Sequence, residues 1–180
     1  MKIAVINKSK GTGKSTLAKH LLAANLPEAR VVEVAGGEDN ADVVALKVAQ
    51  SAGPDQHVIL DFDTAAGAVL IENLADVVDL LDGVDLWIVP RGAKQIESQE
   101  AIQTFLNLSA LIPQERILLI SNMAPEGAEG AINVKNLEFI FCPIMSWESL
   151  KSGVPDFECQ SNIDSVWSQI KKYIASEKLA

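Results

Sequence analysis

Apolar residues recur along the chain in short runs, separated by stretches in which apolar residues return with helical spacing. Most runs are uninterrupted by polar residues, as in strands that are buried on both faces of a parallel sheet. They predict strands at residues 2–7, 31–34, 58–63, 86–90, 116–121 and 137–142. The stretches between and after them predict helices at residues 16–25, 41–52, 69–81, 95–111 and about 163–176.

This alternation of strands and helices predicts an α/β fold: a doubly wound, mostly parallel sheet with helices on both faces. Ligands of such sheets bind at the carboxyl ends of the strands. With 180 residues, 48% hydrophobic and 22% charged, the chain is predicted to form a single globular domain over residues 1–180.

The formal net charge of −9 disfavours non-specific nucleic-acid binding unless the basic residues cluster. Lys171, Lys172 and Lys178 form the one close basic group, which is interpreted as a solvated helix face. Cys142 and Cys159 have neither C-x-x-C spacing nor zinc-site partners, so a reduced, cytoplasmic protein is expected. No apolar run reaches the ~20 residues that a membrane span requires.

The first predicted strand is followed by a glycine-rich loop and then by a helix. The loop reads Lys10-Gly11-Thr12-Gly13-Lys14-Ser15-Thr16. In this context the glycines turn successive backbone N–H groups into one hollow, and the helix N-terminus adds positive potential there. The loop therefore predicts a nucleotide site in which Lys14 reaches the β- and γ-phosphates and the Ser15 hydroxyl binds Mg²⁺.

The match to the common phosphate-loop pattern has one gap, because Lys8 stands where its first glycine would fall. The alternative is a glycine-rich turn that merely caps a helix. The position after a buried strand, with Thr16 beside Ser15, favours the nucleotide loop.

The third predicted strand ends in two carboxylates, Asp61 and Asp63. A phosphate-loop nucleotidase needs a carboxylate beside its magnesium site, and that residue can also orient the attacking water. Asp61 closes the apolar run and is slightly favoured as the metal residue. Asp63 opens a D-T-x-A-G stretch in which Gly67 could donate its N–H to the γ-phosphate. Whichever carboxylate does not serve the metal is expected to cap the next helix.

Later strand ends add further candidates. Arg91 and Lys94 follow the fourth strand, where either could contact phosphate or a partner, or have an ordinary surface role. Asn122 follows the fifth strand and is predicted to read the purine base, the alternative being a turn former. The backbone of Pro143 and Ile144 would flank the base.

Two stretches together resemble the ParA/MinD-type ATPases. Asn7-Lys8-Ser9-Lys10-Gly11-Thr12-Gly13-Lys14-Ser15-Thr16 resembles their deviant Walker A motif, and Phe141 to Pro155 is similar to their closing strand, loop and short helix. The short chain looks like the small plasmid partition and stability proteins, in particular the StbB-like group.

This resemblance implies an ATP- and Mg²⁺-dependent homodimer with nucleotides at its interface, and a partner protein that stimulates hydrolysis. The family's trans-acting lysine falls at Ser9, so Lys10, or Lys8, would have to replace it. Possible DNA binding would need a basic patch assembled by the dimer from Arg91, Lys94 and the C-terminal lysines.

The resulting hypothesis is an ATP-binding, slowly hydrolysing dimerisation switch in plasmid or cargo segregation, with Lys14 and Lys10 stabilising phosphate charge. One alternative is a small-molecule kinase or ligase, although the chain has only Arg30, Arg91 and Arg116 with which to build a lid. Another is a nucleotide-binding interaction module that does not hydrolyse, which the serine at position 9 keeps open.

Overall fold

The computed structural model describes residues 1–37, 40–92, 95–124, 139–143, 164–172 and 175, with backbone only at 95, 122–124 and 139–143. Within these ranges six strands form one sheet in the order β2-β3-β1-β4-β5-β6, and every neighbouring pair is parallel. The strands are β1 Lys2–Val5, β2 Arg30–Val34, β3 Val58–Phe62, β4 Leu86–Arg91, β5 Ile117–Ala124 and β6 Phe139–Pro143.

Helices connect these strands. A continuous helical segment after β1 consists of α1 (Lys14–Thr16), a π-helical part (Leu17–Leu22) and α2 (Ala23–Asn25). It is followed along the chain by α3 (Ala41–Ser51), α4 (Thr64–Glu72), α5 (Val78–Leu81) and α6 (Gln95–Ser109), with 3₁₀ turns at Leu74–Asp76 and Gln114–Arg116. A further helix, α7, covers residues 164–172.

Alternate residues of each strand face opposite sides of the sheet, and each side is covered by its own set of helices. One core combines Ala4, Leu60 and Phe62 with side chains of α3 to α6. The other combines Ile3, Val5 and Ile59 with side chains of the helix after β1 and of α7. The predicted α/β fold with helices on both faces is therefore confirmed.

The helix predicted at residues 69–81 is wrong in its bounds. The structure has α4 from Thr64, a break at Asn73 and then the short α5. The helix begins earlier because the Asp63 carboxylate caps it, accepting a hydrogen bond from the Ala66 N–H at 2.7 Å. The first residues of α4 are small, so they carry no apolar periodicity that could have revealed the start.

Strand β5 is longer than predicted and continues through Asn122 to Ala124. Its pairing with β6 is irregular between Ser121 and Ala124. The polar residues Ser121 and Asn122 ended the apolar run in the sequence, but parallel pairing with β6 extends the strand beyond them. Asn122 therefore lies within a strand and not in a following loop.

Gly36, after β2, packs directly against the first turn of α4. A Cβ at this position would lie 2.3 Å from the Cβ of Ala65 and 2.7 Å from the backbone N of Ala66. We expect Gly36→Ala to destabilise the fold by about 1–3 kcal/mol, because backbone and a short side chain must move. Urea unfolding would measure this, with Gly53→Ala as the matched control, since a Cβ there meets nothing within 4 Å.

Candidate functional site

The glycine-rich loop leaves the carboxyl end of β1, between β3 and β4. In the strand order, β2 and β3 lie on one side of β1, and β4 lies on the other side of it. This is the point where the strand order reverses, which is where open α/β sheets bind ligands. The topology therefore places the loop that the sequence singled out at the expected ligand site.

Two glycines give this loop its shape. Gly11 has φ of 83° and Gly13 has φ of 79°, both in the left-handed region that glycine adopts without strain. Gly13 immediately precedes α1. A side chain at either position would oppose the turn that directs backbone N–H groups toward a phosphate.

Asn7 fixes the start of the loop. It is fully buried, and its Nδ2 donates to the Pro90 carbonyl at 2.6 Å while its Oδ1 accepts from the Ser9 N–H at 2.9 Å. Asn7 is not among the site residues predicted from the sequence. An asparagine that bonds the backbone two residues later is a recognisable turn-forming signal that could have found it.

Lys14 lies beneath the loop and is buried. Its Nζ donates to the Ser9 carbonyl at 2.7 Å and to Thr64 Oγ1 at 3.4 Å. Burial lowers the pKa of Lys14, while the carboxylates of Asp61, Asp63 and Glu100 act in the opposite direction. The ammonium group is thus positioned among oxygen acceptors, and Thr64 is a site residue that sequence reasoning did not single out.

Ser15 and Asp61 lie side by side. Asp61 is only 4% exposed and has no hydrogen-bond partner at Oδ1, and the exposed Ser15 hydroxyl lies close enough to affect its pKa. Burial raises the pKa of Asp61, whereas the Ser15 hydroxyl and the nearby Lys19 and Lys14 lower it. A hydroxyl beside an unsatisfied buried carboxylate oxygen is a donor set that suits Mg²⁺.

Asp63 has a different environment. Its Oδ1 accepts from the Ala66 N–H at 2.7 Å, and its Oδ2 accepts from the Gly36 N–H at 3.0 Å. Both carboxylate oxygens therefore tie α4 to the end of β2. Of the two carboxylates left open by the sequence, Asp63 is therefore the helix cap, and the metal role of Asp61 stays a prediction.

Gly67 brings α4 close to the phosphate loop. A Cβ at Gly67 would lie 3.1 Å from the Asn7 carbonyl oxygen and 3.3 Å from Ile6 Cγ1. Its N–H donates to the Asp63 carbonyl at 3.0 Å within α4, so in this conformation it is not directed at a γ-phosphate as predicted. The close packing of α4 against Ile6 and Asn7 explains why residue 67 is a glycine.

The loop also contacts helix α6. Ser9 is buried, and its Oγ donates to the Glu100 carboxylate. Lys10 is exposed, and Lys8 is half-buried. Position 9, where the resembled family carries its trans-acting lysine, is thus held inward against α6. Glu100 is a second residue that sequence reasoning missed, because only the folded chain brings α6 to the loop.

The remaining candidates divide by position. Thr12 is buried and Thr16 half-buried, both next to the glycines. Arg91 is buried, not displayed at the sheet edge as expected, and burial lowers its pKa. Asn122 lies in β5 and Pro143 in β6. Lys94 and Ile144 lie outside the described residues.

Among the described residues, no group of three or more His, Cys, Asp or Glu side chains could hold a metal ion. No helix in the described ranges is long and apolar enough to cross a membrane.

No protein-family profile matches the chain, and no curated protein matches it either. Among solved structures, the chain is similar to a candidate plasmid partition protein from Borrelia burgdorferi B31, which was crystallised bound to AMPPNP. The two structures align with a TM-score of 0.57 over 94% of this chain and 98% of the other, at 10% sequence identity. This chain therefore shares the fold of that protein.

Proposed function

We propose that this chain is an ATP-binding, Mg²⁺-dependent and slowly hydrolysing dimerisation switch that acts in plasmid or cargo segregation. In this proposal residues 1–180 form one cytoplasmic ParA/MinD-type domain of the small, StbB-like kind. One observation carries it: the buried Lys14 ammonium, the Ser15 hydroxyl and the unsatisfied Asp61 oxygen meet under a glycine loop. The AMPPNP bound to the structurally similar partition protein supports the choice of ATP.

The loop amides and Lys14 would hold the β- and γ-phosphates. To reach them, the Lys14 ammonium exchanges its bonds to the Ser9 carbonyl and Thr64 hydroxyl for phosphate oxygens. Ser15 and Asp61 would hold magnesium, which when bound neutralises phosphate charge during transfer to water. Asp61 lies beside Ser15 and is placed to orient a water. Burial raises the pKa of Asp61, but a carboxylate remains a weak base toward water, so turnover is expected to be slow.

Dimerisation through ATP is part of this proposal. Since Ser9 is held by Glu100, the exposed Lys10 is the loop cation best placed to reach a second molecule. A basic patch for DNA would use the exposed Lys171 and Lys172 more readily than the buried Arg91. A partner protein that accelerates hydrolysis completes the proposal.

A non-hydrolysing interaction module is the second candidate, and the inward-facing Ser9 is the observation that favours it. The positions of the three arginines argue against the kinase or ligase alternative. Arg116 is bound to Asp82 and to the Leu81 and Val84 carbonyls, and Arg91 is buried. Arg30 begins β2, at the end of the sheet opposite the loop.

Phosphate release and light scattering test these functions together. With Mg²⁺–ATP alone we expect slow phosphate release, and a dimer with a non-hydrolysable analogue but a monomer with ADP. Nucleotide binding without release would select the interaction module, and release only with an added metabolite would select the kinase. Calorimetry that shows no binding to the folded protein would refute every nucleotide-dependent function.

A further inference from the structure

A pair of opposite charges adjoins the Asp61–Ser15 site. The Lys19 ammonium is ion-paired with the Glu33 carboxylate. Glu33 on β2 is in register with Asp61 on β3, so both side chains project from the same face of the sheet. That face is the one covered by the helix that follows the phosphate loop, as the packing of Ile59 and Leu17 in one core shows.

Lys19 reaches this position from the same helix. It lies about one helical turn beyond Ser15, whose hydroxyl is near Asp61. Of the charges that act on Asp61, Lys19 has a larger effect on its pKa than Lys14 does, and Glu33 acts with the opposite sign. Lys19 and Glu33 therefore both affect the electrostatic potential at Asp61, although both side chains are exposed.

The pair contributes little to folding. Lys19 and Glu33 are 43% and 68% exposed at the side chain, and exposed ion pairs typically contribute about 0–1 kcal/mol to stability. Charges beside a divalent-cation site have a larger effect on cation binding, because the Coulomb energy between a side-chain charge and a divalent ion is twice that with a monovalent ion. The position of the pair next to Asp61 is therefore more important for cation binding than the pair is for folding.

We propose, resting on the proposed function, that the Lys19–Glu33 ion pair sets the divalent-cation affinity of the Asp61–Ser15 site. Lys19 repels the incoming cation, and Glu33, which is ion-paired with Lys19, offsets that repulsion. Both are positioning residues that act through the electric field at Asp61. The pair keeps the site responsive to the free Mg²⁺ concentration.

The two members act with opposite signs, which separates this role from a structural one. Removing the Lys19 charge leaves Glu33 and Asp61 as two carboxylates, so Mg²⁺ should bind more tightly. Removing the Glu33 charge leaves Lys19 unopposed, so Mg²⁺ should bind more weakly. Damage to packing would weaken nucleotide binding in both variants.

The test measures the MgCl₂ concentration that gives half-maximal enhancement of binding of a fluorescent ATP analogue by the full chain. We expect Lys19→Met to lower this concentration about 3- to 10-fold and Glu33→Gln to raise it by a similar factor. The double variant should return to within about 2-fold of wild type, and 0.5 M KCl should reduce all differences.

Matched controls carry the same charge changes on the opposite face of the sheet. Lys47→Met on α3 and Glu72→Gln on α4 alter exposed residues of helices that pack in the other core. Equal shifts from Lys19→Met and Lys47→Met, or shifts of one sign from Lys19→Met and Glu33→Gln, would overturn the proposal. If the wild-type chain binds no analogue at any Mg²⁺ concentration, the proposed function fails. If it binds the analogue but the Mg²⁺ dependence is the same in all variants, only the role of the ion pair fails.

Discussion

Lys14→Met should abolish tight nucleotide binding. The Lys14 ammonium is buried beneath the loop and its two oxygen acceptors, Ser9 and Thr64, mark where phosphate oxygens would compete for it. Truncating one member of a buried, hydrogen-bonded charge pair typically costs 2–5 kcal/mol or more, about 30-fold to several thousandfold in affinity. Isothermal calorimetry with Mg²⁺–ATP would measure the loss.

The fold should survive this change. Burial lowers the pKa of Lys14, which means that the protein interior disfavours its charged form. Methionine keeps an unbranched side chain without the buried charge, so we expect a melting temperature equal to or above that of wild type. Lys47→Met is the control, since Lys47 is exposed on α3 and lies away from the loop, and it should retain ATP binding within a few-fold. Wild-type affinity in Lys14→Met would place the phosphates elsewhere.

The shape of the glycine loop could be predicted because it is encoded by adjacent residues. Gly11 and Gly13 occupy left-handed conformations, and Lys14 and Ser15 follow directly on the helix that they begin. Each requirement of a phosphate hollow is a local backbone or side-chain property, so a run of a few residues specifies it. The parallel sheet could be predicted for a similar reason, since strands covered on both sides are apolar throughout.

The supporting contacts could not be predicted, because they join residues that are distant in the sequence. Glu100 meets Ser9 across 91 positions, and Thr64 meets Lys14 across 50. Even the Lys19–Glu33 pair spans 14 positions and two elements. Such contacts depend on which strands are neighbours in the sheet, and hydrophobic periodicity does not contain the strand order.

Asp61 and Asp63 show where local reasoning stops. They are two residues apart and both end an apolar run, so an alternating strand would point them to the same face. The strand ends at Phe62, however, and Asp63 turns to cap α4 while Asp61 stays in register with Val5 beside the loop. The place where the strand ends decides which carboxylate faces Ser15.

Asp61→Asn is therefore expected to remove the Mg²⁺-dependent part of nucleotide binding and to lower the hydrolysis rate about 100-fold or more. An amide keeps the shape of the side chain but lacks the negative charge that a hard divalent cation requires. Binding of the nucleotide in EDTA should change little. Mg²⁺ titrations of nucleotide affinity, combined with phosphate-release rates, would measure both effects.

The same variant should be more stable than wild type when no metal is present. The pKa of Asp61 is raised above its ordinary value of 3.8, so its favourable contribution is complete below that pH and is lost as the pH rises through the folded-state pKa. Asparagine does not ionise. The melting temperature of Asp61→Asn in EDTA should consequently exceed that of wild type by a margin that grows from pH 4 to pH 7. The growth should follow the titration of a single carboxyl group.

Asp63→Ala should give the opposite pattern, since it removes a helix cap whose loss typically costs about 1 kcal/mol. Both of its oxygens accept backbone N–H groups, so the expected result is a lower melting temperature with the Mg²⁺ dependence preserved. If instead Asp63→Ala abolishes the Mg²⁺ dependence and Asp61→Asn retains it, the metal belongs to Asp63. That outcome would mean that the Asp63 oxygens, which each accept one backbone N–H from Gly36 or Ala66, use their remaining lone pairs for the metal shell.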